Sequence, residues 1–156
     1  MNHLRRAIIL FLLLGLALPA LALEPQMPSK RDRCPVCGMF VAPYPDWIAT
    51  IQFRDNSQLF FDGAKDLFRY YFSLPNTNDS RTREDIAQIY LTEYYSTRLL
   101  PIDDLYLVLG SDVYGPMGHE LVPVAGEEIA KSFAKDHGGT KIIRFEQLTP
   151  QLLPED

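Results

Sequence analysis

The order strand, strand, helix, strand occurs twice along this chain, and this repetition constrains the fold more than any other feature. Runs of β-forming residues predict the strands, and apolar residues at helical spacing predict one helix in each copy. The predicted elements lie at residues 47–54, 58–61, 63–74 and 86–95 in the first copy, and at 105–109, 120–125, 127–136 and 140–145 in the second. We therefore predict an α+β fold of two similar ββαβ halves packed together, with one helix in each half and antiparallel or mixed sheets.

The residues before the two helices also resemble each other. Phe61-Asp62-Gly63 precedes the first helix, with Asp62 as its expected N-cap, and Val124-Ala125-Gly126 precedes the second. Halves of about 55 residues bury too little surface to be stable alone, so we expect them to share a core. The expected organisation is a flexible proline-containing lead-in at 23–33, the first half at 34–99, the second half at 100–146 and a loose tail at 147–156.

The N-terminal residues 1–22 have the pattern of an export signal. Arg5 and Arg6 precede an apolar run at 7–18, and Ala20-Leu21-Ala22 is a small-x-small cleavage site. The apolar run is short for a membrane span, which needs about 20 residues. No cysteine lies near the cleavage site, so the sequence shows no lipid-anchor position. We predict a periplasmic protein that is soluble after cleavage near Ala22 and Leu23.

Charge and missing motifs argue against several other classes of protein. The formal net charge is −5, and it would be −7 without Arg5 and Arg6, whereas nucleic-acid binding requires clustered lysine and arginine. The chain has no glycine-rich phosphate loop. The adjacent carboxylates Asp103-Asp104 and Glu127-Glu128 are more typical of solvated faces than of catalytic pairs. We therefore do not expect an enzyme.

Two short motifs, far apart in the chain, hold the residues with the most distinctive chemistry. They are Cys34-Pro35-Val36-Cys37-Gly38-Met39 and Gly115-Pro116-Met117-Gly118-His119, and they contain both cysteines and two of the four methionines. A C-x-x-C turn holds two sulfurs close together and typically lowers the pKa of one thiol, which favours the thiolate that a metal needs. The cysteine pair alone is also compatible with a structural disulfide or a thiol–disulfide redox site.

The methionines shift the balance toward a metal. Met117 lies in a loop of glycine and proline, which is a poor place for a core side chain, and Gly38 would let Met39 fold back toward the sulfurs. Thiolate and thioether together favour Cu(I), if the two motifs meet in space. Zinc is the competing metal, with the two cysteines, His119 and His137 as four ligands. We interpret His137 instead as a cap at a helix C-terminus.

These motifs, taken in order, resemble those of the NosL family. The resemblance covers residues 34–145 and rests on the two motifs above, with the second continuing into Glu120, together with Phe60-Phe61-Asp62-Gly63 and Gly138-Gly139. It implies two ββαβ halves, related in shape to organomercurial lyase, and a periplasmic Cu(I) metallochaperone for the copper–sulfur centre of nitrous-oxide reductase. It also implies work with a membrane ABC-type complex, and the candidate copper ligands Cys34, Cys37, Met39, Met117 and His119.

The chain departs from the family pattern at one point. NosL proteins are commonly lipoproteins anchored through an N-terminal cysteine, whereas this sequence has Ala20-Leu21-Ala22 there. The difference puts a membrane tether in doubt and leaves a different copper recipient open, because a fold does not fix the recipient.

Overall fold

The structure is a computed structural model that describes residues 24–74 and 80–155. The predicted signal at 1–22 lies outside these residues. The strands are β1 (Ala49–Phe53), β2 (Gln58–Phe61), β3 (Ile86–Thr92), β4 (Leu99–Pro101), β5 (Leu105–Leu109), β6 (Tyr114–Gly115), β7 (Gly118–His119), β8 (Val122–Ala125) and β9 (Lys141–Ile143). The helices are α1 (Ala64–Ser73) and α2 (Glu127–Asp136), and short 3-10 turns connect several elements.

The two halves have the same topology. In the first half, β1 is the central strand and pairs antiparallel with β2 and β3. In the second half, β5 is central and pairs antiparallel with β8 and β9. Each helix follows the second strand of its half and packs on its own sheet. The predicted α+β duplication is confirmed, with antiparallel pairing throughout the described strands.

One apolar core crosses from the first half into the second. It contains Ile51, Phe61 and Leu67 from β1, β2 and α1, together with Leu107 and Leu121 from the second half. A smaller cluster lies under α2, between that helix and β5 and β8. Because the larger cluster includes residues of both halves, burial of apolar surface stabilises their association.

Two short pieces of β-structure were not predicted from the sequence. Strand β4 extends the first sheet by pairing with β3. The predicted loop at 110–118 contains the hairpin β6–β7, with Tyr114 opposite His119 and Gly115 opposite Gly118. Strands of two or three residues carry too little alternation to be recognised, because their stability depends on the partner strand.

Both predicted irregular segments make contacts with the folded core. In the segment predicted as a tail, 147–156, Leu148 is buried and Arg69 of α1 donates a hydrogen bond to the Pro154 carbonyl at 3.0 Å. In the lead-in, the Gln26 N–H donates to Gln58 Oε1 at 3.1 Å, and Val41 N–H donates to the Asp32 carbonyl at 3.1 Å. Burial of apolar surface and hydrogen bonds therefore hold both segments against the rest of the fold.

Neither helix in residues 24–74 and 80–155 combines the length and the apolar character that crossing a membrane would require.

Candidate metal site

The first motif forms a tight loop before β1. Gly38 N–H donates to the Cys34 carbonyl at 2.9 Å, and Cys34 N–H donates to the Met39 carbonyl at 2.8 Å. Gly38 has φ of +79°, which a glycine adopts without strain. Arg33 and Phe40 close the loop, because they pair as a β-bridge, the guanidinium lies 3.7 Å from the ring centroid, and Arg33 Nη1 donates to the Gly38 carbonyl at 2.8 Å.

Two carboxylates from the start of α1 face the two thiols of this loop. Cys34 Sγ lies 3.3 Å from Asp66 Oδ2, and Cys37 Sγ lies 3.3 and 3.4 Å from the two oxygens of Asp62. One ligand atom from each of these four residues lies within 4.8 Å of the other three. Both cysteines are free thiols, with Cys34 buried and Cys37 half-buried. We call Cys34, Cys37, Asp62 and Asp66 the Cys/Asp group.

The Cys/Asp group keeps its thiols protonated at neutral pH. Burial raises the pKa of the Cys34 thiol far above its usual value, and burial together with the neighbouring carboxylates raises the pKa of Cys37 to about 11. The sequence-based expectation of a lowered thiol pKa is therefore wrong, because it took no account of burial or of two adjacent carboxylates. A metal ion that binds here must displace the thiol protons.

Asp62 and Asp66 were not identified as site residues from the sequence. Asp62 was expected to cap α1, but the N-cap is Gly63, without a side-chain hydrogen bond, and the Asp62 carboxylate faces Cys37 instead. The two aspartates are four residues apart, with Asp62 just before the N-cap and Asp66 in the first turn of α1, and both carboxylates face the thiols. This spacing was the sequence signal for a paired site, and it could be interpreted only once the thiols were placed against the start of α1.

The structure brings the second motif to the same helix start. Met117 lies at the turn of the β6–β7 hairpin, half-buried, and its carbonyl accepts a hydrogen bond from Lys65 Nζ at 2.5 Å. Lys65 immediately precedes Asp66 of the Cys/Asp group. The two motifs, which lie about 80 residues apart along the chain, therefore converge on the first turn of α1.

The other two candidate ligands predicted from the sequence are Met39 and His119. Met39 is half-buried and lines a surface cleft with Cys37, Phe40 and Tyr44. His119 is exposed, and its ring centroid lies 4.6 Å from that of Tyr114 across the hairpin. Within the part of the chain that the structure describes, His119 is not a member of the Cys/Asp group.

His137 belongs to a different region. It is the C-cap of α2, its Nδ1 lies 3.0 Å from Asp112 Oδ1, and its ring stacks on Phe133 with centroids 4.4 Å apart. Among the described residues it does not join the Cys/Asp group. The zinc hypothesis with two cysteines, His119 and His137 therefore lacks the convergence that a four-ligand site requires.

Glu120 lies immediately after the hairpin and is buried between the two motifs. Its Oε1 accepts hydrogen bonds from the backbone N–H groups of Lys65 at 2.5 Å and Leu121 at 3.0 Å. Burial raises the pKa of this carboxyl to about 8. A side chain at Gly63 would overlap the Glu120 carboxylate, so glycine is required there for a close approach rather than for an unusual φ.

Gly63→Ala is expected to destabilise the protein by roughly 2–3 kcal/mol, because the added methyl displaces a buried, hydrogen-bonded carboxylate. Urea unfolding measures this loss. Gly126→Ala, at the equivalent position before α2, shows the effect of backbone strain without a steric contact: a Cβ there meets nothing closer than 3.7 Å, and its φ of +89° with ψ of 133° costs about 1–3 kcal/mol for a non-glycine residue. Because the Gly63 backbone is extended and alanine adopts it without strain, Gly63→Ala protein that unfolds at the same urea concentration as the wild type would contradict the close approach.

The protein is thus of the α+β class, built from a duplicated ββαβ unit, with two thiols and two carboxylates that could together hold a metal ion. The sequence model of the NosL family matches residues 25–153, and the chain belongs to this family. It is 27% identical over 135 residues to the copper-binding lipoprotein NosL of Stutzerimonas stutzeri, covering 86% of this chain and 70% of that protein.

A solved structure shows the same fold. The crystal structure of the copper chaperone NosL from Shewanella denitrificans superposes with a TM-score of 0.67 at 20% sequence identity, covering 82% of this chain and 97% of that one. The family resemblance and the α+β fold predicted from the sequence are thus both confirmed.

Proposed function

We propose that this chain is a periplasmic metallochaperone that carries Cu(I) and is not an enzyme. The observation that carries the proposal is a pair of free thiols, one buried and one half-exposed, on the helix start that also holds the Met117 hairpin. Copper binding is what the names of the Stutzerimonas and Shewanella relatives state for those proteins. Thiolate and thioether are soft ligands, which select Cu(I).

The proposed copper ligands are the thiolates of Cys34 and Cys37, with thioether sulfur from Met39 or Met117 and the imidazole of His119 as further donors. Convergence of both motifs on α1 supports this set. The carboxylates of Asp62 and Asp66 lie against the thiols at 3.3 Å and accept their hydrogen bonds in the metal-free state. When copper binds, the thiol protons leave, and these oxygens are the nearest groups that can receive them.

Unequal exposure of the two thiols suits transfer to another protein. Cys34 is 1% exposed and anchors the cargo, whereas Cys37 is half-buried and lies beside the surface cleft that includes Met39 and Phe40. An incoming thiolate or imidazole of a recipient can therefore replace Cys37 as a ligand while Cys34 still holds the metal. Stepwise exchange of this kind avoids release of free copper.

The proposed recipient is nitrous-oxide reductase, at its copper–sulfur centre, with a membrane ABC-type complex as a further partner. Membership of the NosL family supports this assignment. Its test is delivery: copper-loaded protein should restore the copper–sulfur centre of metal-free nitrous-oxide reductase in cells that lack their own NosL. Restoration by Cys34→Ser protein, or none by the wild type, would contradict the proposed recipient or site.

The raised thiol pKa values disfavour the alternative of a thiol–disulfide redox protein. Exchange requires a thiolate nucleophile, and catalytic C-x-x-C pairs have a lowered thiol pKa. Here burial and the carboxylates hold the pKa of both thiols above the usual value. The same pair is suited to a metal, which deprotonates its thiol ligands on binding.

A further inference from the structure

The hairpin that carries Met117 has little backbone support of its own. It consists of two residue pairs and forms a separate two-stranded sheet, paired with no other described strand. Two-stranded hairpins are marginally stable in isolation. Contacts from outside the hairpin must therefore fix the position of Met117 relative to the thiols.

Two buried charged residues supply these contacts. Lys65 Nζ donates to the Met117 carbonyl at 2.5 Å, and Glu120, directly after the hairpin, accepts the Lys65 backbone N–H at 2.5 Å. The hairpin is thus tied to one residue of α1 at its tip and at its end. We call Lys65 and Glu120 the latch.

The latch is interleaved with the residues that face the thiols. Around the start of α1, Asp62 and Asp66 contact the cysteines. Gly63 and Lys65 instead approach Glu120, which directly follows the hairpin. A side chain at Gly115 would also come within 3.2 Å of Glu120, so the residue before α1 and the second motif each have a glycine where they approach the carboxylate. One helix start therefore sets the positions of both motifs together.

Lys65 is an unusual residue for its place. It is fully buried, and burial of an ammonium group is unfavourable compared with an apolar side chain of the same length. Its contact with the Met117 carbonyl joins residues 52 positions apart, across the two halves. A lysine that only filled space here would be better replaced by methionine.

We propose that Lys65 and Glu120 are positioning residues, which hold the Met117 thioether where it can bind copper together with the Cys34 and Cys37 thiolates. This inference rests on the proposed copper function and deepens it. The latch makes no bond to copper. It acts through Met117, so its effect on copper affinity depends on the presence of that thioether.

A double-mutant cycle on Cu(I) affinity tests this dependence. Lys65→Met keeps an unbranched side chain, one atom shorter, and removes the donor, and Met117→Leu removes the thioether. Lys65→Met should weaken Cu(I) binding at least about tenfold in the wild-type background and less than about twofold in the Met117→Leu background, since only coupled residues depart from additivity. The full chain, processed in its host, is titrated against a chelator of known Cu(I) affinity.

Arg69→Met is the matched control. Arg69 also lies on α1, where its Nη1 is 3.4 Å from Asp66 Oδ1 and its Nη2 donates to the Pro154 carbonyl at 3.0 Å. Removing this cation should change Cu(I) affinity by less than about threefold, and equally in both backgrounds. The comparison separates loss of positive charge near Asp66 from loss of the hairpin contact.

Equal weakening by Lys65→Met with and without Met117, or no weakening in the wild type, would overturn the latch. If Lys65→Met does not fold, Lys65→Gln replaces it in the cycle, because glutamine keeps a polar group but is one bond shorter. Failure of the proposed function gives a different result, because the wild type itself would then not compete for Cu(I). Met117→Leu that leaves the affinity unchanged while Cys34→Ser abolishes binding would overturn the latch and leave the copper function standing.

Discussion

Cys34→Ser is expected to weaken Cu(I) binding by about 1000-fold, which corresponds to roughly 4 kcal/mol. Cys34 is the buried thiol of the Cys/Asp group, and a serine hydroxyl is a hard, weak ligand for a soft ion. Serine has nearly the same shape and can still donate to Asp66, whose Oδ2 lies 3.3 Å from the sulfur. The fold should therefore persist, and competition titration against a Cu(I) chelator measures the loss.

Methionine substitutions give this prediction an internal control. Met117→Leu should weaken Cu(I) binding about 10- to 100-fold, because it removes a thioether while preserving side-chain volume. Met27→Leu makes the same chemical change at a site that is 62% exposed and outside both motifs, and it should have no effect. Cys34→Ser protein that binds Cu(I) as tightly as the wild type would show that the Cys/Asp group is not the copper site.

Cu(I) affinity is expected to rise about 100-fold for each pH unit between roughly pH 6 and 9. In the metal-free protein the pKa of Cys37 is about 11 and that of Cys34 is also raised, so both thiols are protonated throughout this range. Copper binds the thiolates, so each bound ion releases two protons, and each proton released contributes a tenfold change in affinity per pH unit. Chelator competition at several pH values measures the slope.

The pH range over which the affinity keeps rising distinguishes the site from a redox-type cysteine pair. A thiol with the lowered pKa typical of a redox C-x-x-C would already be ionised near neutral pH, and the affinity would level off above it. Cys37→Ser provides the control, since a single remaining thiol should halve the slope on a logarithmic scale. An affinity independent of pH between 6 and 9 would contradict the raised thiol pKa values.

The fold could be predicted from the sequence because periodicity specifies it locally. Helix α1 was predicted at 63–74 and lies at Ala64–Ser73, and the helix of the second half matches its prediction at both ends. The strand predicted at 120–125 begins later, at Val122, because Glu120 turns its carboxylate inward to meet the backbone of α1. The elements that were missed, β4 and the β6–β7 hairpin, have strands of only two or three residues, which carry too little pattern to be recognised.

The site could be predicted only in part, because its geometry depends on contacts between distant residues. The motif cysteines were evident from their chemistry, but Asp62 was predicted as a helix cap, and no sequence pattern distinguished Lys65 from the lysines that are exposed in most proteins. The Asp62 carboxylate instead faces Cys37 of the first motif, and the second half packs against α1, where Lys65 is buried with its ammonium group on the Met117 carbonyl. Burial also reversed the expected shift of the thiol pKa.

The central claim is that the Cys/Asp group and the Met117 hairpin form a Cu(I) site. Its most direct test is a titration of the reduced protein with Cu(I), in competition with a chelator of known affinity and with Zn(II) added in parallel. We expect tight one-to-one Cu(I) binding that an equal concentration of Zn(II) does not displace. Failure to compete for Cu(I), or displacement of copper by Zn(II), would contradict the claim.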